Sequence, residues 1–496
     1  VLIFILHIFY NSYASLQYWD VPKTIEATSP RINYQQPKVL ITENNPLIFY
    51  VENSGRYSEI FCRELIDFYK FDKAISVSGQ IKGPAGFVPE YDVFYYETTV
   101  YIAYTLYNGE IILKKSQDNG KTWKDVYIYN SGKSFVFHPE IFIYEKVFFL
   151  FYHAESEGTR IDFFVSISRE MESSWSDPMQ IAVGFAGSFF PSVIVLDGTV
   201  YVVWHSRPFV EEGVPVFHLY GSLSRDLGNS WSQPKKLTEN ENGDNIRPVL
   251  VVENGNLRLV WQSDRSGVWS IYSRSFDKGL NPLSDVVKVT RAPANCINPF
   301  VLDDGKRKIF YLSQRGGGIG IYVSVETPSG YVEYGPFGGK SGEIIEYFPF
   351  KYRDKICLIF QDPSGLLYLG PDVTVSEVKI IRGPGKYVGR RGFKIRFFPP
   401  SDPNGITGIM YLFTDNPEEF PDIVNFQIHE EPGVKPHEYS LSFIPEKEGR
   451  FYLHIRAVDG AGNLSPVKTM SFNVDLTPPP PPEIVPPVSY THLTLP

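Results

Sequence analysis

Seven residues that each stand directly before a proline, Gln36, Val88, His138, Phe190, Arg247, Asn298 and Phe348, combine the two kinds of group that hold a sugar or a peptide. Amide, imidazole and guanidinium groups supply directed hydrogen bonds, and aromatic rings supply flat apolar faces. The same residues suit plain capping of the strands they open, and the two readings weigh equally. His138 has no second histidine at ligand spacing, which favours a structural imidazole over a metal ligand. The stretch from Glu239 to Asp244 offers carboxylates to Ca²⁺, without a regular ligand spacing. No other cofactor is expected, because Cys62, Cys296 and Cys357 show no Cys-x-x-Cys spacing and read as isolated, half-buried thiols.

What positions these residues is a repeat of roughly fifty residues. A proline opens an apolar strand, a turn follows, and a second strand ends in an aromatic residue. The openings are Pro37, Pro89, Pro139, Pro191, Pro248, Pro299 and Pro349, and subtracting successive numbers gives steps of 52, 50, 52, 57, 51 and 50. PSVIVLDGTVYVVWHS from Pro191 and PVLVVENGNLRLVWQS from Pro248 show the unit plainly. The closing aromatics, Tyr50, Tyr104, Tyr152, Trp204, Trp261, Tyr311 and Phe360, read as filling between neighbouring units rather than as a row of sugar-stacking rings. A third strand (EIILKKS, HLYGSLS) and a fourth complete each unit, with Gly, Asn and Asp turns and no helical periodicity. Four short strands per unit predict an all-β protein and a β-propeller, which hides each small sheet against the next. Seven openings predict seven blades; the short unit after Pro349 leaves six open. Chain entering an innermost strand lies at the mouth of the central channel, so the seven pre-proline residues are expected to ring that mouth.

The bulk numbers agree with a large β protein. The chain has 496 residues, 43% of them hydrophobic and 15% aromatic, too many for one small core. Its formal charge is −9 and it has no long Lys/Arg cluster, which excludes a phosphate-tracking nucleic-acid surface. The opening VLIFILHIFY followed by NSYAS reads as a signal peptide lacking its start, over residues 1–19, against the alternative of a buried first strand. A secreted, periplasmic or cell-surface location is therefore expected, and no other segment suits a membrane span.

Two segments point to a family. Ser116-Gln-Asp118-Asn-Gly120-Lys-Thr122-Trp123 and Ser224-Arg-Asp226-Leu-Gly228-Asn-Ser230-Trp231 share the pattern S-x-D-x-G-x-[TS]-W; Ser168 to Trp175, with Glu170, and Ser275 to Pro282, with Asp277 and Gly279, are degraded copies. The pattern resembles the Asp boxes (BNR repeats) of sialidase-like propellers. In such a hairpin the Asp accepts backbone N–H bonds, the Gly takes a positive φ, and the Trp locks the turn onto the blade. These residues are fold elements and not catalytic carboxylates. The resemblance implies a sugar carboxylate held by three arginines, a tyrosine nucleophile with a glutamate, and an acid/base aspartate. The element matching the first arginine is Gln35-Gln36-Pro37, which has none. Arg31, Arg207, Arg247, Arg265 and Arg315 remain as candidates without forming an evident triad, and Glu90 with Tyr91, and Glu140, are only local candidates for the other roles.

Residues 20–382 are thus assigned to the propeller. From Gly383 a new pattern runs to residue 476, where Arg450 to Pro466 resembles the end of bacterial fibronectin type III-like modules, with a long strand turning through Asp459-Gly-Ala-Gly-Asn463. A β-sandwich spacer is expected. Residues 477–487 read as a stiff proline-rich linker and 488–496 as a non-native tail. The leading expectation is an exported propeller that binds a glycan or protein ligand at Gln36, His138, Arg247, Asn298 and the flanking arginines. A sialidase-like glycoside hydrolase with a rearranged arginine set is the alternative, and a structural envelope or adhesion protein the third reading.

Overall fold

The computed structural model describes residues 17, 19–29, 32–155, 161–170, 174–182, 185–208, 216–239, 242–303, 307–315, 317–338, 343–432, 434–478, 480 and 483. The expected signal segment up to residue 16 and the tail from 484 lie outside them. The described elements are all β, and the chain parts into two compact units, Val21–Pro371 with Gln17, and Asp372 onward with Tyr18–Asp20.

The first unit is a succession of antiparallel meanders. They begin with strands Asn33–Leu40, Tyr91–Tyr96, Val136–Tyr144, Phe185–Leu196, Asn245–Glu253, Cys296–Asp303 and Glu346–Tyr352. Each continues through a second and a third strand in sequence order. The third and fourth meanders share one parallel pairing, Ile161 with Gly187. The last is completed by the first strand of the chain, Lys23–Ala27, which pairs antiparallel with Gly365–Leu369.

Second strands are apolar at nearly every position because both of their faces are covered. In Thr199–Pro208, Val200, Val202 and Trp204 pack on the third meander, while Tyr201 and Val203 pack on the fifth. Similar shared cores join the first meander to the second, the second to the third, the fifth to the sixth, and the seventh to the first. Phe300 against Phe348, ring centroids 4.8 Å apart, links the sixth to the seventh. Sheets packed each on the next, with the last on the first, make a β-propeller. The seven closing aromatics are all buried in these wedges.

Between third and fourth strands, the Ser-x-Asp-x-Gly turns are built by one carboxylate. Asp118 accepts the Thr122 N–H at 2.9 Å and its hydroxyl at 2.6 Å, while Ser116 Oγ accepts the Gly120 N–H at 2.9 Å. Asp226 does the same for Ser230, at 2.9 and 2.6 Å, and Ser224 for Gly228, at 2.8 Å. Gly228 has φ +86°, and a Cβ there would meet Phe149 Cε1 at 2.6 Å, so both conformation and space require glycine. Trp123 ties back through Nε1 to the Gly120 carbonyl at 3.1 Å and packs edge-on to Phe49 of the first meander; Trp231 shares only the packing, edge-on to Phe151 of the third.

The second unit is a β-sandwich. Strands Lys379–Arg382, Phe393–Phe398 and Tyr439–Phe443 form one sheet; Tyr387–Val388, Lys468–Val474, Gly449–Asp459, Ile406–Thr414 and Phe426–Glu430 form the other. Ile395, Phe397 and Leu441 from the first meet Ile409, Leu453, Ile455 and Phe472 from the second. This unit starts at Asp372, earlier than the expected 383, because Val375 and Val378 enter its core.

Candidate functional site

Five innermost strands carry the same irregularity. Their ladders slip between Gln35 and Lys38, Phe137 and Glu140, Phe189 and Ser192, Ile246 and Val249, and Ile297 and Phe300. At each bulge the residue before the proline takes a left-handed backbone: Gln36 (φ 54°), His138 (49°), Phe190 (51°), Arg247 (53°) and Asn298 (55°). Both the positive φ and the following proline disfavour that conformation for a residue with a side chain, at a cost on the order of 1–3 kcal/mol each. All five side chains are thereby turned onto one cavity of about 670 Å³.

The strained backbone is held by neighbouring meanders. Gln36 N–H donates to Glu346 Oε2 at 2.6 Å, and Asn298 N–H to Gln262 Oε1 at 2.7 Å. His138 N–H donates to Glu90, whose carboxylate lies 2.8 Å from His138 Nδ1. Arg247 N–H reaches His205 Nδ1 at 3.5 Å. Burial, then Arg247, His138 and Arg207, pull His205 down to about 3, so its imidazole is neutral and free to accept. Although burial opposes it, the hydrogen bonds from His138 hold the Glu90 carboxyl below its usual range.

The second and seventh meanders lack the bulge and enter the cavity through a Glu-Tyr pair instead, Glu90-Tyr91 and Glu346-Tyr347. Tyr91 OH donates to the Gln36 carbonyl at 2.5 Å and Tyr347 OH to the Asn298 carbonyl at 2.6 Å. The proline repeat therefore marks five meanders in phase and two out of phase. Pro89 falls two residues before its Tyr and Pro349 two after, and Val88, expected at the mouth, packs toward the core between the first two meanders. The Glu-Tyr pair is the sequence signal that aligns these two, and it would have disclosed Glu346 and Tyr347.

One wall is aromatic and cationic. The Arg247 guanidinium lies 4.1 Å from the Phe190 ring centroid, and Phe190 packs on His138 at 4.4 Å. Among the described residues the guanidinium has no ion-pair partner within 4 Å. Another wall is acidic: Lys38 Nζ pairs with Asp92 at 2.8 Å, and Asp92 accepts the Ile141 N–H at 3.1 Å. Glu140 lies deep in the cavity yet is reached by solvent. Burial and then Asp92 push its carboxyl up to about 8, against Lys38 and the Val193 N–H. A carboxyl raised in the folded state stabilises below its unfolded value, and that contribution is lost as pH rises through the folded value. The first unit should accordingly lose stability between about pH 4.5 and 8, and Glu140→Gln should flatten the loss in urea unfolding at pH 5, 6.5 and 8. A variant with the wild-type slope would contradict the raised carboxyl.

Of the residues singled out from sequence, Gln36, His138, Arg247 and Asn298 line the cavity. Three arginines do not. Arg207 lies over the Phe217 ring at 4.3 Å; Arg265 is bonded to Ser263 and Asn245 and stacks on Tyr272; Arg315 is paired with Glu333 at 3.1 Å. Each is consumed by its own meander, because a guanidinium at or just past the end of a second strand reaches the adjoining aromatic or carboxylate before it reaches the axis. Arg31 lies outside the described residues, as do Asn240 and Glu241 of the loop considered for Ca²⁺, where Asp244 accepts the Phe217 N–H at 2.8 Å. The described residues thus bring one of these five guanidiniums, not three, to the cavity. Burial raises the hydroxyls of Tyr91 and Tyr347 well above the usual tyrosine value, and both donate to carbonyls, which is the opposite of an activated nucleophile.

No family model and no curated protein matches the chain. Solved structures of similar outline include a polysaccharide lyase, Uly1, at 12% identity and TM-score 0.46, covering 72% of this chain and 96% of that one. An α-L-arabinofuranosidase from Fusarium graminearum has 15% identity and TM-score 0.41, with coverages of 63% and 97%. A thermostable family-43 glycoside hydrolase has 14% identity and TM-score 0.36, with coverages of 52% and 97%. Likeness at this level bears on neither ligand nor reaction.

Proposed function

We propose that the first unit is a seven-bladed, Asp-box-type propeller whose channel mouth binds a glycan, carried by a fibronectin type III-like module on an exported protein. The observation that carries the reading is the convergence of the five left-handed pre-proline residues. Capping alone needs no strained backbone, whereas a binding site that must present five side chains to one point does. The chemistry suits a sugar: Gln36, Asn298, His138 and Glu90 offer paired donors and acceptors for hydroxyls, and Phe190, Phe300 and Phe348 offer apolar faces for ring C–H groups. Arg247 and His138 lie on either side of Phe190, so the double variant Arg247→Ala/His138→Ala should abolish binding to any glycan retained by the wild type on an array. Retention at wild-type strength would refute the face.

Hydrolysis is the second reading, and one observation favours it. Glu140 stands beside the Lys38-paired Asp92, and burial and then Asp92 raise its carboxyl above the usual range, which is the kind of carboxyl that general acid catalysis uses. A panel of chromogenic glycosides separates the readings: release that disappears in Glu140→Gln identifies an enzyme, and binding without release identifies a receptor.

A further inference from the structure

One turn device recurs in both units: an aspartate whose carboxylate holds the backbone and side chain of the residue four further on. Asp118 and Asp226 are exposed examples with Thr122 and Ser230, and Asp277 is a half-buried one with Asn281. Asp459 repeats it in the second unit, accepting the Asn463 N–H at 2.7 Å and its amide at 2.8 Å. There the aspartate is 1% exposed, and two more carboxylates stand beside it, Asp402 at 5% and Asp372 at 7% exposure. One oxygen from each of the three lies within 4.8 Å of the other two.

A turn does not need this. Asn404 orients two of the carboxylates, donating its amide to Asp372 at 2.6 Å and its N–H to Asp402 Oδ1 at 2.8 Å. The other oxygen of Asp402, a residue more than nine-tenths buried, accepts a hydrogen bond from no described residue. Nor is there a compensating cation among the described residues. Of the basic groups of this unit, Arg396 pairs with Glu438, Lys447 with Asp415 and Lys468 with Glu377, and Arg390 and Arg456 donate to the Leu476 and Pro421 carbonyls. Buried carboxylates persist when something positive is shared between them.

We propose that Asp372, Asp402 and Asp459 form a divalent cation site that takes Ca²⁺. An all-oxygen set drawn from two loops and a strand end, without histidine or cysteine, suits a hard, geometrically tolerant ion better than Zn²⁺ or octahedral Mg²⁺. Asn404 and Asn463 hold the ligands in place, as outer partners of a metal site do. The site owes nothing to the glycan reading of the channel.

Calorimetric titration of the full chain with CaCl₂ after EDTA treatment, paired with thermal unfolding, tests this. One ion per chain is expected to bind, with a dissociation constant of roughly 10⁻⁴–10⁻³ M as in extracellular modules. Saturation should raise the unfolding of the second unit by roughly 5 °C, reversed by EDTA and much reduced with MgCl₂. Asp402→Asn should weaken binding by about tenfold or more, and Asp372→Asn gives the same reading should the first variant fold poorly. Absence of Ca²⁺ heat and of stabilisation in the wild type at millimolar CaCl₂, or undiminished binding in a folded Asp402→Asn or Asp372→Asn variant, would overturn the site.

Discussion

Replacing Trp204 by alanine is expected to cost the first unit about 3–5 kcal/mol, as a fully enclosed aromatic does when a cavity replaces it. Trp204 is fully buried, lies 5.6 Å from the Phe163 ring and 6.4 Å from Tyr220, and fills the wedge between the third and fourth meanders. Its indole N–H has no hydrogen-bond partner among the described residues, so the residue is expected to contribute by packing. Trp204→Phe should therefore recover most of the loss. Guanidinium unfolding followed by near-ultraviolet circular dichroism reports both. A cost below about 1 kcal/mol would mean that the two meanders do not depend on this wedge.

The second large effect is expected at a group of charges between the fifth and sixth meanders. Glu253 accepts from Arg258 at 3.2 Å and from Arg307, and Glu326 lies 2.7 Å from Arg307 and 3.3 Å from Arg258. Arg258 also donates to Tyr331 OH at 2.7 Å. Both arginines are buried, and although burial opposes it, they hold the Glu253 carboxyl below its usual range. Glu253→Ala leaves two buried cations with one carboxylate and should cost about 3 kcal/mol, with Glu326→Ala, the more exposed partner, costing less. Replacing Glu253 and Arg258 together by leucine and methionine should recover much of that. Equal small losses for both single variants in urea unfolding would show that the network is screened like a surface pair.

Much of the propeller was legible in the chain because its second strands are buried on both faces. Continuous apolar runs such as VYVVW and LRLVW, each closed by an aromatic and opened by a proline, repeat at a step that small sheets require. The Ser-x-Asp-x-Gly turns were legible because their chemistry is local, within eight residues. The mouth was legible only where the proline coincides with the bulge. In the second and seventh meanders the entry is unbulged, and alignment on Pro89 and Pro349 placed Val88 where Glu90 belongs. The arginines after the second strands were misleading for a different reason: which aromatic or carboxylate captures Arg265 or Arg315 is decided by packing across strands, and spacing along the chain does not record it. The carboxylate cluster of the second unit was invisible for the same reason, since Asp372, Asp402 and Asp459 come from positions far apart in sequence.

The charge pattern of the mouth adds a constraint on any ligand. Arg247 is the one candidate guanidinium there among the described residues and lies over Phe190, while Glu90, Asp92 and Glu346 stand around the same cavity. A neutral sugar presenting hydroxyls and a C–H face satisfies both walls, whereas a strongly anionic chain meets more carboxylates than cations.

The position of a glycan retained by the wild-type chain, seen crystallographically in the bound complex, tests the central claim most directly. The predicted result is a sugar ring stacked on Phe190 or Phe348 within the channel mouth, its hydroxyls bonded to Asn298, His138 and Arg247. Ligand seated on another surface, with the five left-handed residues untouched, would contradict it.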